Sequence, residues 1–249
     1  MKIRSFGFFL KYKFNFLRNI YFFYNIYIRN FRYLINSSQF KEDIFLDNFF
    51  KGKKNGKYVD LGCFHPTRDN NTYQLYKKNW SGLNIDLNPL TIELFNYFRN
   101  RDINLNFCLS KLKTTKKLFY FGEFSPLNTI NQNHLEFLKK NFNLDKKSYK
   151  IKPIKTKNIN NILKKYKFFN IDFLSIDLEG HESEILNNFR FDLFKINLLC
   201  IETLNHNLMS IKNKDKIQKI LKKNNFKLIY KTGVNSFYKN NEKASSSKS

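Results

Sequence analysis

What this chain lacks narrows its roles before any motif is read. It has eight glycines in 249 residues, and the loop that follows Gly62 contains no second or third one. A dinucleotide needs G-x-G-x-x-G there, because the backbone must come close to a pyrophosphate at a helix N-terminus. Cys63, Phe64, His65 and Pro66 make the loop too bulky for that approach. Cysteine is equally scarce. Cys63, Cys108 and Cys200 are odd in number and widely spaced, which fits buried free thiols in a reducing compartment better than disulfides. Neither H-E-x-x-H nor a cysteine-rich signature is present, so no metal is expected. Within residues 1–40 the longest uncharged run, Asn19 to Ile28, falls short of the roughly 20 apolar residues that span a bilayer. A small-residue signal cleavage site is also missing.

Acids are the other shortage. Twenty Asp and Glu face 45 Lys and Arg, a net charge of +25. Such an excess usually suggests nucleic acid or an anionic membrane. Here lysine is spread along the whole chain with abundant Asn, Ile and Phe, so it reads as compositional drift, and no specific nucleic acid is expected. Residues 1–40 stand apart, with Lys2, Arg4, Lys11, Lys13, Arg18, Arg29 and Arg32, no acid, and a dense run of Phe and Tyr. An interfacial helix on an anionic membrane is one reading; helices packed on the domain, or a partner-binding extension, are the others. The expected organisation is a basic aromatic helical extension (1–42), an α/β domain (43–239) and a disordered tail (240–249).

What is present centres on Lys57 to Pro66, K-Y-V-D-L-G-C-F-H-P. Tyr58, Val59 and Leu61 are strand formers, with an acid and a glycine where the strand ends. Asn71 to Trp80 reads as a helix, and Gly82 to Asn88 as a second strand ending in Asp86. Ligands of open α/β sheets bind at the carboxyl ends of strands. Asp60 and Gly62 would lie under such a ligand, with Asp86 accepting from ribose hydroxyls. S-adenosylmethionine carries no phosphate and has an ammonium, so one glycine and an acid suffice for it. The alternative is that Asp60 only caps a helix and Asp86 is a solvated strand-end acid. Asn88-Pro89 reads as an N-cap with proline at the first helical position.

Further along, residues 103–110 alternate as a third strand, 117–121 and 148–155 as others. Residues 122–134 form a polar loop large enough to cover a pocket. Helical spacing marks Ile159 to Tyr166. The second informative stretch is Ile171 to Glu182, I-D-F-L-S-I-D-L-E-G-H-E. It is a buried strand with Asp177 and Glu179 at its tip, a turn at Gly180, and a helix opened by His181, Glu182 and Glu184. Asn197 to Glu202 is another buried strand ending in an acid. After a helix at Ile217 to Leu221, residues 226–230 and 234–238 form a hairpin. A mostly parallel sheet finished by an antiparallel hairpin is the Rossmann-like arrangement of class I methyltransferases.

Y-V-D-L-G-C at 58–63, G-L-N-I-D-L-N-P at 82–89, I-D-F-L-S-I-D-L-E-G-H-E at 171–182 and L-C-I-E at 199–202 together resemble the FkbM-type methyltransferase family in order and spacing. The resemblance covers about residues 57–238. It implies an S-adenosylmethionine-dependent O-methyltransferase acting on sugar hydroxyls of polysaccharides, glycolipids or related glycoconjugates. The chain departs from the family pattern at Phe64-His65-Pro66, where a further glycine is common, and at Ser175, where lysine is common. The cofactor-binding set is expected to be Asp60, Gly62, Cys63, Asp86, Asn88, Ser110 and Asp177. The candidates for base or methyl-transfer centre are Asp177, Glu179, His181 and Glu202; His181 suits because its ordinary pKa lies near 6.5. Helix capping is the alternative role for His181 and Glu182. Two other functions remain open: a non-enzymatic basic adaptor for membrane or nucleic acid, and a nucleotide-sugar oxidoreductase, which the missing glycines disfavour. The expected location is the cytoplasm, with the inner membrane face added if the extension binds lipid.

Overall fold

The computed structural model describes residues 15–38, 40–122, 125, 127–145, 147–203 and 214–241. Most of the expected C-terminal tail, and the first fourteen residues, lie outside them. The chain begins with α1 (Asn15–Phe23), which continues through a π-helical turn (Tyr24–Arg29) and a 3-10 turn (Phe31–Leu34). Then come α2 (Glu42–Phe49), β1 (Lys57–Leu61), α3 (Tyr73–Lys77), β2 (Ser81–Asp86), α4 (Pro89–Phe98) and β3 (Ile103–Asn106). A short β4 (Cys108–Leu109), β5 (Thr115–Tyr120), α5 (Gln132–Phe142) and β6 (Lys150–Lys157) lead to α6 (Ile159–Lys165). The remainder is β7 (Asn170–Ile176), α7 (Glu182–Asn187), β8 (Lys195–Glu202), α8 (Lys214–Lys223), β9 (Phe226–Thr232) and β10 (Asn235–Asn240).

Seven strands form the main sheet in the order β3-β2-β1-β7-β8-β10-β9. All neighbours pair in parallel except β10, which runs antiparallel to both β8 and β9, so the expected terminal hairpin is present. The chain leaves β1 toward β2 and β3, then returns on the other side of β1 with β7 and β8. The strand order therefore reverses between β1 and β7, which is where an open α/β sheet leaves a crevice.

Strand periodicity sends alternate side chains to opposite faces. Val59, Leu61, Leu83, Ile85, Leu174, Ile176, Leu199 and Ile201 face one cluster, completed by α6, α7 and α8. Tyr58, Phe173, Leu198, Cys200 and Phe237 face the other, against Leu46 and Phe50 of the α2 region, Leu75 of α3, and Trp80. Burial on both faces explains why these strands read as continuous apolar runs.

The expected third strand, residues 103–110, is a correction. It breaks after Asn106: Cys108 and Leu109 leave the main sheet and pair with Thr156 and Lys157 of β6. With β5 antiparallel to β6, these make a separate three-stranded sheet beside the carboxyl edge of the main one. Period-two alternation does not reveal which sheet a strand joins. The helix expected over 71–80 is shorter, Tyr73–Lys77: at its start the Thr72 N–H goes to Asn70 Oδ1, and at its end the chain turns at Asn79, φ +65°. All three cysteines are buried and free. The helical extension packs on the domain through Phe22 and Ile26 against Leu90 and Leu94 of α4. Among the described residues no helix is long and apolar enough to cross a membrane.

Candidate functional site

β1 and β7 end side by side. Leu61 pairs with Ile176, and the Asp177 N–H donates to Leu61 O at 2.9 Å. The turn after β1 is forced by that closeness. Gly62 has φ +82°, and a Cβ there would overlap the Asp177 carbonyl oxygen. Glycine is therefore required at 62 by the approach of two strands, whatever the ligand.

Above these tips lies a cleft of about 390 Å³. It is lined by Asp60, Gly62, Cys63, Asp86, Asn88, Asp177, Glu179 and His181 among others. Six of the seven expected cofactor residues thus meet in one place; Ser110 does not. Its hydroxyl donates to Glu184 Oε1 at 2.8 Å, and it lines a neighbouring opening. The polar loop expected to cover a pocket does line the cleft, through Ser125, Asn128, Thr129 and Ile130. It is pinned there by Asn131, whose amide donates to Gly180 O and whose Oδ1 accepts from the first N–H groups of α5.

Asp60 is held rather than free. Asn70 Nδ2 and Thr72 Oγ1 both donate to its Oδ2, at 3.1 and 2.9 Å. Behind them sits Arg99, fully buried at the C-terminal cap of α4. Arg99 donates twice to Pro66 O (2.9 and 2.6 Å), to Thr72 Oγ1 (2.8 Å) and to Asn70 Oδ1 (2.6 Å). Burial pushes the Asp60 carboxyl up, and the Arg99 charge and these hydrogen bonds oppose it. Arg99 escaped sequence reasoning, since a lone arginine ending an amphipathic helix carries no signal of burial.

Asp86 is half-buried, not a solvated strand end. Its Oδ2 accepts from Phe64 N–H at 3.1 Å and its Oδ1 from Asn88 N–H at 2.7 Å, while burial raises its pKa to about 6. Asn88 caps α4 by accepting from Leu90 N–H at 3.2 Å, as its place before Pro89 suggests.

The loop at 62–66 also answers the dinucleotide question. Gly62 and Cys63 donate their N–H groups to Ile85 O, Phe64 to Asp86, and His65 to Cys63 O. Those amides are committed, so this loop offers a pyrophosphate none of the backbone donors that a glycine-rich loop would. His65 is buried, and its Nδ1 accepts from Thr67 and Arg68 N–H, which puts the proton on Nε2, 2.8 Å from Asn25 Oδ1 of the extension. Burial lowers its pKa to about 3.

On the β7 side, Asp177 is open to the cleft. The surrounding protein and then the nearby Glu182 and Asp60 push its carboxyl up, and solvent in the cleft moderates the rise. Glu179 stands at φ +51° and Gly180 at +87°. Glu182 Oε1 folds this turn by accepting from Leu178 and Gly180 N–H at 2.9 and 3.0 Å, bonds to the turn before the helix rather than to the helix's own first N–H groups. His181 is the N-cap residue of α7, but its side chain makes no capping bond. Its Nε2 lies 3.3 Å from Glu184 Oε2, and burial lowers its pKa from 6.5. Burial would raise Glu184, but the Lys111 N–H, Ser110, His181 and Lys116 hold it down at about 2. Burial and then Asp177 raise Glu179. His134 of α5 sits 3.5 Å from Glu179 Oε2, a partner hidden in sequence at the end of the covering loop. Glu202 does not line the cleft, and burial and then the neighbouring carboxylates Asp177, Glu179 and Glu182 raise its pKa. Among the described residues no cluster could hold a metal ion.

S-adenosylmethionine fits these residues. Its sulfonium and ammonium are cations for a cleft carrying Asp60, Asp86, Asp177 and Glu179, and its ribose diol can donate to Asp86, whose oxygens each keep a lone pair beyond one backbone bond.

The strand order, the reversed last strand and the acid-tipped crevice define a class I S-adenosylmethionine-dependent methyltransferase. Residues 52–228 match the model of the methyltransferase FkbM domain, and the chain belongs to that family. No curated protein is matched. Among solved structures, the chain is similar to a TehB-like SAM-dependent methyltransferase from Corynebacterium glutamicum, with 10% identity over 86% of this chain and 96% of the other, and a TM-score of 0.43. It is also similar to the fibrillarin pre-rRNA processing protein of Methanococcus jannaschii, with 13% identity over 77% and 69% of the two chains, and a TM-score of 0.38. The adaptor and oxidoreductase alternatives fall with the family assignment.

Proposed function

We propose that the acceptor is a sugar hydroxyl of a polysaccharide, glycolipid or related glycoconjugate, and that it enters from the opening beside the cofactor cleft. One observation carries this reading. The cleft shares Ile130 and His181 with a second opening of about 630 Å³, lined by Asn131, Gln132, Asn133, Ser183, Asn187 and Asn188, with Lys111, Lys116, Lys216 and Glu184 also on its wall. Side-chain amides and a hydroxyl, each able to donate and accept, suit a polyhydroxylated ligand better than an apolar one, and the lysines accommodate an acidic group on it.

The cofactor supplies an electrophilic methyl group on a sulfonium. On this reading Asp60 takes its ammonium and Asp86 its ribose diol. Holding the acceptor oxygen in line is the protein's largest contribution. Removing the hydroxyl proton as the new bond forms adds roughly 10²–10⁴ in rate. His181 sits at the junction of the two openings and is neutral at neutral pH. Glu184 stabilises a proton on Nε2, which leaves the lone pair on Nδ1 for the acceptor hydroxyl. Asp177 and Glu179 line the methyl-transfer side.

Methyl-tritiated cofactor and a panel of neutral oligosaccharides, a peptide and a catechol test the acceptor class. Label in the oligosaccharide that survives mild base marks a methyl ether, the expected product. Base-labile label, or label in the peptide or catechol alone, overturns the reading.

A further inference from the structure

The helical extension is apolar on both sides, and the domain covers one of them. Phe22 and Ile26 dock on α4, and Asn25, whose amide accepts from His65 and from Asn30, ties the same face to the cleft loop. The opposite face carries Phe16, Ile20, Phe23, Tyr24, Ile28, Phe31 and Ile35, from 47% to 74% exposed, while Tyr27 leans back onto Phe98 of α4. Their spacing of three and four residues lines them up along one side of the helix and its following turns. A helix that is apolar all round belongs inside a core or against another apolar phase, and this one has half of its surface uncovered.

Charge chooses the occupant. The stripe is flanked by Arg29 and Arg32, both exposed. The first 41 residues contain no acid, so Lys2, Arg4, Lys11 and Lys13 add charge of the same sign. Phe and Tyr over a basic flank are the composition of a helix that lies in the headgroup region of an anionic bilayer. A second copy is disfavoured, because a two-fold contact would bring each basic flank against its own image.

We propose that this face, Phe16 to Ile35, seats the enzyme on an anionic lipid surface. The Asn25–His65 bond then sets the cofactor cleft at a fixed orientation to that surface. The seating is peripheral, since no described helix can cross a bilayer. It goes beyond the methyl-transfer reading and stands or falls independently of it.

The test is flotation of the full chain with vesicles made of equal parts phosphatidylcholine and phosphatidylglycerol, against pure phosphatidylcholine. The wild type should float with the anionic vesicles and be released by added salt. Phe16→Ser, Phe23→Ser and Phe31→Ser combined should weaken binding by about tenfold or more, as should Arg29→Glu with Arg32→Glu. All five side chains are exposed, so melting temperature and cofactor affinity should stay at wild-type values. Three results would overturn the proposal. They are failure of the wild type to bind anionic vesicles, equal binding by the aromatic triple variant, and a wild-type dimer in sedimentation that the triple variant dissolves.

Discussion

Replacing Arg99 with methionine separates what holds the site from what lines it. Methionine keeps most of the side chain's length and packing against Tyr73, Tyr76 and Phe95, whose rings lie 5.0–5.5 Å from the guanidinium carbon. What goes is the set of hydrogen bonds. Asn70 Oδ1 still accepts from the Thr72 N–H, and Asp102 still accepts from Tyr58, Gly82 and Asn84. Pro66 O loses both of its Arg99 donors. One buried carbonyl without a partner costs about 1–3 kcal/mol. Loss of the weak Asp102 pairing at 3.9 Å adds little, and relief from burying a guanidinium offsets part of the total. The expected destabilisation is about 1–3 kcal/mol, a melting temperature lower by roughly 2–12 °C for a chain of this size. The second consequence is functional. Asp60 loses the charge that opposes its burial and the brace behind Asn70 and Thr72, so cofactor affinity should fall and require higher pH. Urea titration and calorimetry with S-adenosylmethionine measure the two effects separately. A loss below 1 kcal/mol would refute the bonding account, and unchanged affinity at lowered stability would refute the link to Asp60.

Three further outcomes follow from the same geometry. Asp86→Asn should weaken S-adenosylmethionine binding by about 1–3 kcal/mol in calorimetry, since an amide cannot accept from both hydroxyls while serving Phe64 and Asn88. In the wild type the folded Asp86 carboxyl titrates near 6, above its unfolded value, so affinity should decline as pH falls through 6, and the variant should lack that step. His181→Ala should lower turnover with little change in cofactor affinity, and should remove the loss of rate on the acid side of 6.5; Glu184→Gln should shift that limb without abolishing it, and an unchanged profile in both would leave the base role to Glu179. Gly62→Ala combines a positive φ with overlap on the Asp177 carbonyl, so it should cost about 3 kcal/mol or more, and a soluble variant of wild-type melting temperature would contradict the strand-tip packing.

Most strands of the main sheet, and the acids at their tips, are legible in the chain alone. Buried strands announce themselves as apolar runs that stop at an acid, and Asp60, Asp86, Asp177 and Glu179 each stand at such a stop. Ligand chemistry was legible at the first loop, where missing glycines argued against a pyrophosphate. Tertiary structure alone decided three matters. It sent Cys108 and Leu109 out of the main sheet, because alternation fixes which face a side chain takes and not which strand lies beside it. It turned Ser110 toward Glu184 and kept Glu202 out of the cleft, since a strand-tip position does not say toward which of two openings a side chain faces. And it placed Arg99, His65 and Asn25 behind the site, where polar groups distant in sequence meet because burial obliges each to find a partner. A chain pattern records periodicity and local turns; pairings such as Asn25 with His65 exist only once the core has brought them together.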